Sequence, residues 1–157
     1  MAQFSSGSPN TYTPTASTTT INHWVLTVLT VGQQAQVKMF NWGGDGTSLV
    51  GYVTRWGRVS NTPATPTALL IANTGSTTVT PQASVNTYGT VATATADNNL
   101  FRQSWNVQGG GGVVVLPIGG EWTVVGGALG TAFNQIGAGN VTGTDANLSN
   151  YGLQWAE

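Results

Sequence analysis

Short runs of β-branched and aromatic residues recur along this chain, and each run is bounded by Gly, Pro, Asn or Asp. The clearest run is residues 21–31 (INHWVLTVLTV). β-branched and aromatic side chains pack well on a pleated sheet, whereas Gly, Pro, Asn and Asp favour turns. The pattern therefore predicts about nine or ten short strands. They cover residues 21–31, 35–42, 49–56, 68–73, 77–80, 84–95, 100–107, 113–118, 122–126 and 151–155.

Helical patterns are scarce, so the predicted fold is all-β. Residues 128–136 (ALGTAFNQI) favour a short helix, which Gly130 weakens, and residues 137–147 are predicted to form a long loop. No internal repeat of fixed period is present, which argues against a propeller or a solenoid. The strand spacing is typical of an antiparallel β-sandwich, jelly-roll-like, rather than of parallel βαβ units.

Glycine-rich stretches are predicted to be turns rather than phosphate sites. Residues 109–112 (GGGG) precede a strand, and no Gly-Lys-Ser/Thr occurs in the chain, so a phosphate-binding loop is not predicted. Residues 137–143 do not match the dinucleotide-binding spacing. Residues 43–46 (GGDG) are predicted to form a turn, and the other two stretches wide turns with positive φ.

The first 20 residues differ in composition from the rest of the chain. Residues 1–20 are rich in Ser, Thr and Pro, with Pro9 and Pro14 disfavouring helix. We therefore predict an extended N-terminal arm over 1–20 and one β-sandwich domain over 21–157. In the arm, Phe4 and Tyr12 provide apolar groups that are expected to dock on a neighbouring subunit.

Charged residues are rare, which restricts the partners of this protein. Four Lys and Arg stand against five Asp and Glu, 6% of the chain, whereas about 25% is ordinary. Nucleic-acid binding normally needs a clustered basic face, so no nucleic-acid partner is predicted. Low charge also gives little repulsion between copies. The composition therefore favours a protein that packs against other chains.

The few ionisable residues do not form a recognisable catalytic motif. His23 is the single histidine, the five carboxylates are scattered, and Cys is absent. A triad assembled in space stays open, although no Gly-x-Ser-x-Gly is present. A calcium site using Asp45 or Asp145 is the alternative for a metal, but the closely spaced acidic ligands of an EF-hand loop are missing. We predict no enzyme activity, no cofactor and no metal.

Tryptophan is the residue type that best suits recognition in this chain. About four of the six tryptophans are expected in the core, and the others to stack on sugar rings or anchor subunit contacts. Residues 55–58 (RWGR) are the most functional-looking short stretch, with a cation–π contact at a strand end as the alternative. The six are Trp24, Trp42, Trp56, Trp105, Trp122 and Trp155.

Residues 98–124 (NNLFRQSWNVQGGGGVVVLPIGGEWTV) place an extended strand before a Gly-rich turn, then Leu-Pro-x-Gly-Gly-Glu and a β run. This arrangement, with the Ser/Thr/Pro arm, resembles jelly-roll virion proteins, especially decoration (cement) and spike proteins of tailed bacteriophage capsids. The resemblance covers residues 21–157 as an architecture. It implies a protein that binds a capsid lattice as a trimer or dimer and stiffens it without catalysis.

Together these observations predict a structural virion protein that decorates and stabilises a capsid. Its expected partners are the major capsid protein and further copies of itself, a trimer in preference to a dimer. No signal peptide and no membrane-spanning run are apparent, so we expect synthesis in the host cytoplasm and residence in the virion. The alternative is a carbohydrate- or receptor-binding fibre or lectin-like module.

Overall fold

The computed structural model describes residues 1–7, 24–45, 51–59, 66–75, 78–88, 96–106, 108–128, 134–142 and 149–157. Within these ranges the regular structure is entirely β-strand. In chain order the strands are β1 (Gln3–Gly7), β2 (Trp24–Val28), β3 (Gln34–Asp45), β4 (Gly51–Val59), β5 (Pro66–Ala68), β6 (Ala72–Asn73), β7 (Ala83–Tyr88), β8 (Ala96–Asn106), β9 (Gln108–Val115), β10 (Trp122–Val125), β11 (Gln135–Thr142) and β12 (Ser149–Ala156).

The strands form two antiparallel sheets that pack together. The first sheet has the order β10-β3-β12-β1-β6, and β9 also pairs with β3. The second sheet has the order β5-β7-β2-β11-β4-β8. The predicted all-β class and antiparallel sandwich are therefore confirmed.

An aromatic core fills the space between the two sheets. Phe40 of the first sheet lies at its centre, with ring centroids 5.3 Å from Trp56 of the second sheet and 4.6 Å from Trp122. Trp56 also meets Trp24 at 5.5 Å and Tyr151 at 5.9 Å, both in edge contacts. Edge-to-face and offset contacts suit the aromatic quadrupole, and each pair is worth about 0.5–1.5 kcal/mol beyond its buried area. Ring contacts from β3 and β12 to β4 thus hold the two sheets together.

One edge of β3 has two successive partners, and this arrangement places β9 at the outside of the first sheet. The start of β3 pairs with β10 through Val37 and Trp122, and its remainder pairs with β9 from Met39 and Val115 onward. Between the two strands, Leu116 donates its backbone N–H to the Lys38 carbonyl oxygen at 2.8 Å. The turn between β9 and β10 includes residues 116–121.

The prediction for the N-terminus was wrong for the part of the arm that the structure describes. Gln3–Gly7 forms β1, which pairs with β12 on one side and β6 on the other. Phe4 is fully buried beside Trp155 in its own chain, with ring centroids 5.8 Å apart, and is not a handle for a neighbour. Ser and Thr indicated extended backbone correctly, but long-range pairing incorporates it into a sheet. The rest of the arm, with Tyr12, lies outside the described residues.

The predictions of a helix at 128–136 and a loop at 137–147 were wrong where the structure has strand β11. Gln135–Thr142 is a central strand of the second sheet, paired with β2 and β4. Ile136 and Ala138 alternate inward into the core, so burial and two hydrogen-bonded neighbours override the low strand propensity of glycine. Residues 129–133 and 143–147 of these two predictions lie outside the described residues.

Other predicted turns and strands also differ from the structure. Residues 109–112 belong to β9, and among them only Gly109 has a positive φ, of 74°. A Cβ at Gly112 would lie 2.6 Å from the Trp42 indole, so the missing side chain makes room for a core ring. Residues 43–45 continue β3 instead of turning, and residues 78–80 of the predicted strand 77–80 form no strand.

Candidate functional site

The outward face of the second sheet is closed at its centre. Val25 and Val59 are fully buried there, outside the core cluster between the sheets. Gln135, also fully buried, donates from its Nε2 to the Thr27 hydroxyl at 3.3 Å. Because these positions have almost no exposed surface, this part of the sheet offers no docking face.

The predicted stretch 55–58 is divided between the two faces of β4. Trp56 points into the core and is fully buried, so it is not available to a sugar or a partner. Arg55 is buried, and its burial, together with Arg102 opposite it on β8, lowers the pKa of its guanidinium. Arg58 donates from Nη2 to the Thr123 carbonyl oxygen at 2.7 Å, and burial lowers its pKa. These residues form structural contacts, including a link from β4 to β10.

The outward face of the first sheet, in contrast, contains a groove of about 560 Å³. Its floor is formed by β1, β3 and β12, and its wall by the chain segment at Leu70–Ala72. Ser6 fixes that wall, because its hydroxyl donates to the Leu70 carbonyl oxygen at 2.8 Å. The lining residues are Ser5, Ser6, Gly7, Met39, Asn41, Leu70, Ile71, Ala72, Gly152, Leu153 and Gln154.

A glycine in the middle of the groove floor makes room for a neighbouring amide side chain. Gly152 pairs directly with Asn41 across β12 and β3. A Cβ at Gly152 would collide with the Asn41 side-chain oxygen. Glycine at this position therefore lets the Asn41 amide lie over the strand and line the groove.

A smaller cavity of about 210 Å³ continues from the groove and shares Met39 and Gln154 with it. It contains Lys38, the one charged side chain among the residues that line the two cavities. Lys38 donates from Nζ to a Glu121 carboxylate oxygen at 2.7 Å, and Gly119 N–H donates to the other oxygen at 2.7 Å. The hydrogen bond from Lys38 is the main cause that lowers the pKa of Glu121. Because Lys38 and Glu121 carry opposite charges, their ion pair leaves the face that contains the groove nearly neutral.

Exposed valines extend the groove face across β9. Val113 pairs with Asn41 and Val115 with Met39, so both valines lie on the same face as the groove. Their exposed fractions are 61% and 71%. Leu70, on the opposite wall, is also strongly exposed. The face therefore combines amide and hydroxyl groups with apolar borders.

This chemistry suits non-covalent binding. Amides and hydroxyls exchange hydrogen bonds with neutral partners, and the valines, Met39 and Leu70 provide apolar contact. General acid–base catalysis needs a titratable side chain within hydrogen-bond reach of a substrate. The lining residues offer only Lys38 for that purpose, and it is already held by Glu121. The described lining of the two cavities therefore suits non-covalent binding.

The other residues singled out in the sequence do not gather at this groove. Trp24, Trp42 and Trp155 are buried, while Trp105 and Trp122 are partly buried against the core. His23 and Asp145 lie outside the described residues, and Asp45 ends β3. The described parts of the chain contain no group of three or more His, Cys, Asp or Glu that could hold a metal ion. Nor do they include a helix long and apolar enough to cross a membrane.

Sequence reasoning missed the groove because its residues come from distant parts of the chain. Strand pairing brings Ser5, Asn41 and Gly152 together, and the hydrogen bond from Ser6 holds Leu70 beside them. Comparison with protein-family models, with curated proteins and with solved structures finds no match to this chain.

Proposed function

We propose that this protein is a structural, non-catalytic component of a virion that binds the outer surface of a capsid and stabilises it. The observation that carries the proposal is the outward face of the first sheet, which is nearly neutral, grooved and bordered by exposed valines. A decoration protein needs such a binding face and does not need a reactive centre. The scarcity of charge supports the same role, since many copies can lie close together without repulsion.

The strand connectivity supports the finer proposal of a jelly roll. β1, β12, β3 and β9 are neighbours in one sheet, and β2, β11, β4 and β8 are neighbours in the other. Successive strands β1 to β4 alternate between the sheets, and β11 and β12 do so again. Two sheets connected in this crossed manner are typical of a double Greek key. Jelly rolls occur in viral capsid proteins, among other classes.

Stabilisation of a shell would follow from thermodynamic linkage between binding of this protein and assembly of the shell. A protein that binds the assembled shell, and not the dissociated subunits, shifts the equilibrium toward the shell. Binding through several linked copies multiplies a weak contact by avidity, by about 100-fold to 10,000-fold. The predicted trimer, in preference to a dimer, would provide such linked copies.

The test mixes the purified protein with tailed-phage capsids that lack their decoration protein. We expect the protein to cosediment with the capsids and to raise their disassembly temperature. Failure to bind any capsid in a broad panel, with unchanged shell stability, would contradict the proposal.

A matched pair of variants identifies the binding face. Gln154→Arg places a charge in the groove of the first sheet, whereas Gln103→Arg makes the same change at an exposed position on β8 of the second sheet. We expect Gln154→Arg to weaken capsid binding at least tenfold and Gln103→Arg to leave it unchanged. Equal effects would show that the groove face is not the binding surface.

Carbohydrate or receptor binding remains the alternative, and the amides of Asn41 and Gln154 in the groove are the features that favour it. Side-chain amides and hydroxyls are suited to hydrogen bonding with sugar hydroxyls. Trp56 is not a useful probe of this alternative, because it is fully buried and its substitution would damage the core. Glycan-array binding that Gln154→Arg abolishes, without any capsid binding, would favour this alternative.

A further inference from the structure

The outer edge of β9 has no strand paired to it among the described residues. β9 pairs with β3 along one edge, and Val113 and Val115 are strongly exposed. Natural proteins commonly block such edges with charged residues or proline. Residues 108–120 contain no charged residue, and the strand itself contains no proline. No charged side chain and no proline in β9 therefore hinders another strand from pairing at this edge.

The backbone of β9 is oriented for pairing at this edge. Leu116 donates its N–H to Lys38, in the same register that pairs Val115 with Met39. In an antiparallel ladder, residues that bond to the neighbouring strand alternate with residues whose N–H and C=O point away from it. Val115, Val113 and Gly111 therefore direct these groups to the open edge. An extended polypeptide strand satisfies such a row of donors and acceptors.

We propose that β9 pairs in antiparallel orientation with β9 of a second copy of this chain, with Gly112 on the two-fold axis. In this register Gly111 lies opposite Val113 of the second copy, and Val115 of the second copy lies beside the glycines at 109–110, where the β3–β9 ladder shifts register. Each exposed valine then faces a residue without a side chain. The run GGGGVVV is thus sterically complementary to itself when reversed.

Charge also favours a second copy as the occupant of this edge. A two-fold contact brings the same surface of both molecules together, so any unpaired charge there would lie near a charge of the same sign and be repelled by it. The neutral stretch 108–120 avoids that repulsion. A single strand pair buries less than the roughly 1,600 Å² of a standard interface, so the isolated dimer should be weak.

The biological use of this contact rests on the proposed structural role, because a crowded shell would supply the avidity that a weak dimer needs. The contact itself is a property of the purified protein. The two-fold pairing converts monomers into dimers and trimers into hexamers, and is thus compatible with the predicted trimer.

The first test is sedimentation of purified protein over a range of concentrations. Val113→Lys puts a charge on the pairing edge, whereas Val31→Lys makes the same change at a residue that is 82% exposed and remote from β9 in the sequence. We expect Val113→Lys to weaken the two-fold association at least tenfold and Val31→Lys to leave it unchanged. Native tryptophan fluorescence checks that both variants fold.

The second test measures the register, using the absence of native cysteine. Val113→Cys and Val115→Cys are each spin-labelled, and the distance between labels on two copies is measured by electron paramagnetic resonance. Diagonal neighbours in an antiparallel pair lie about 7–8 Å apart, which is expected for position 113. Position 115 is separated from its copy by six residues along the strand, or about 20 Å at about 3.4 Å per residue.

Two results would overturn the proposal. One is wild-type protein that shows no concentration-dependent two-fold association, and the other is equal label distances at the two positions, which indicate parallel pairing. Failure of this proposal can be distinguished from failure of the proposed function. Association through β9 without capsid binding would contradict only the decoration role, while capsid binding without the β9 contact would contradict only this inference.

Discussion

A buried hydroxyl relay between the two sheets provides a quantitative test of the fold. The Thr54 hydroxyl oxygen on β4 lies 3.0 Å from the Tyr151 hydroxyl on β12 and 3.3 Å from the Gly139 carbonyl oxygen. The carbonyl can only accept, and Thr54 has one proton, so Thr54 donates to Gly139 while Tyr151 donates to Thr54. Thr54 and Tyr151 are 0% and 2% exposed, respectively.

The perturbation is a double-mutant cycle with Thr54→Val and Tyr151→Phe, which remove the hydroxyls and keep the shapes similar. Each single substitution is expected to lower the free energy of unfolding by about 1–2 kcal/mol, since a net hydrogen bond contributes about 0.5–1.5 kcal/mol and an unsatisfied partner adds to the loss. The double variant should lose less than the sum of the two, with a coupling energy of about 1 kcal/mol.

The assay is urea unfolding followed by tryptophan fluorescence, with unchanged slopes as the check on two-state behaviour. The thermal counterpart is a shift of about 2–4 °C per kcal/mol for a domain of this size. Strictly additive losses would refute the relay, because they would mean that the two hydroxyls do not interact.

Three further predictions concern the core and the first sheet. Phe40→Ala should lower the free energy of unfolding by about 3–5 kcal/mol, because it removes the central ring of the aromatic core, and urea unfolding measures the loss. Trp155→Phe should destabilise more than Trp56→Phe in the same assay, since the Trp155 indole donates to Glu157 at 2.8 Å whereas the buried Trp56 Nε1 has no hydrogen-bond partner among the described residues. Glu121→Gln should destabilise at pH 7, and the difference from wild type should disappear as the pH falls below the lowered pKa of Glu121, where both side chains are uncharged. A difference that persists undiminished at pH 2 would contradict the ion pair with Lys38.

The strands that the sequence predicts well are those whose pairing agrees with local residue preference. In residues 35–42 apolar and polar side chains alternate as far as Met39, and β3 indeed turns Ala35 and Val37 into the core. A β-bulge at Lys38 then shifts the phase, so Phe40 also faces the core while Met39 lines the groove on the other face. The alternation is a local property, and one buried sheet face is enough to produce it. It predicts the class of the fold and the approximate place of most strands.

The elements that sequence reasoning missed depend on distant partners. β1 consists of Ser, Gly, Gln and one Phe, and it is a strand because β12 and β6 pair with it. β11 contains Gly137 and Gly139 and is stabilised by β2 and β4 on either side. Propensity alone assigns such segments to loops, since it contains no term for long-range hydrogen bonding or burial.

The candidate binding face was predictable only as a general property. Low charge indicated a surface suited to contact with other chains, but not where that surface lies. Its location follows from Gly152, which makes room for the Asn41 amide in the groove floor, and from the pairing that places Val113 and Val115 on the same face. Four of the six tryptophans are buried, as expected, but the other two, Trp105 and Trp122, pack against the core and do not line the groove.

The central claim, that this protein binds a capsid through the outward face of its first sheet, is tested most directly by electron cryomicroscopy of capsids saturated with it. We predict ordered density outside the shell, with the groove at Asn41 and Gly152 turned toward the capsid surface. Bare shells at saturating concentration, or density in which this groove faces solvent without a partner, would contradict the claim.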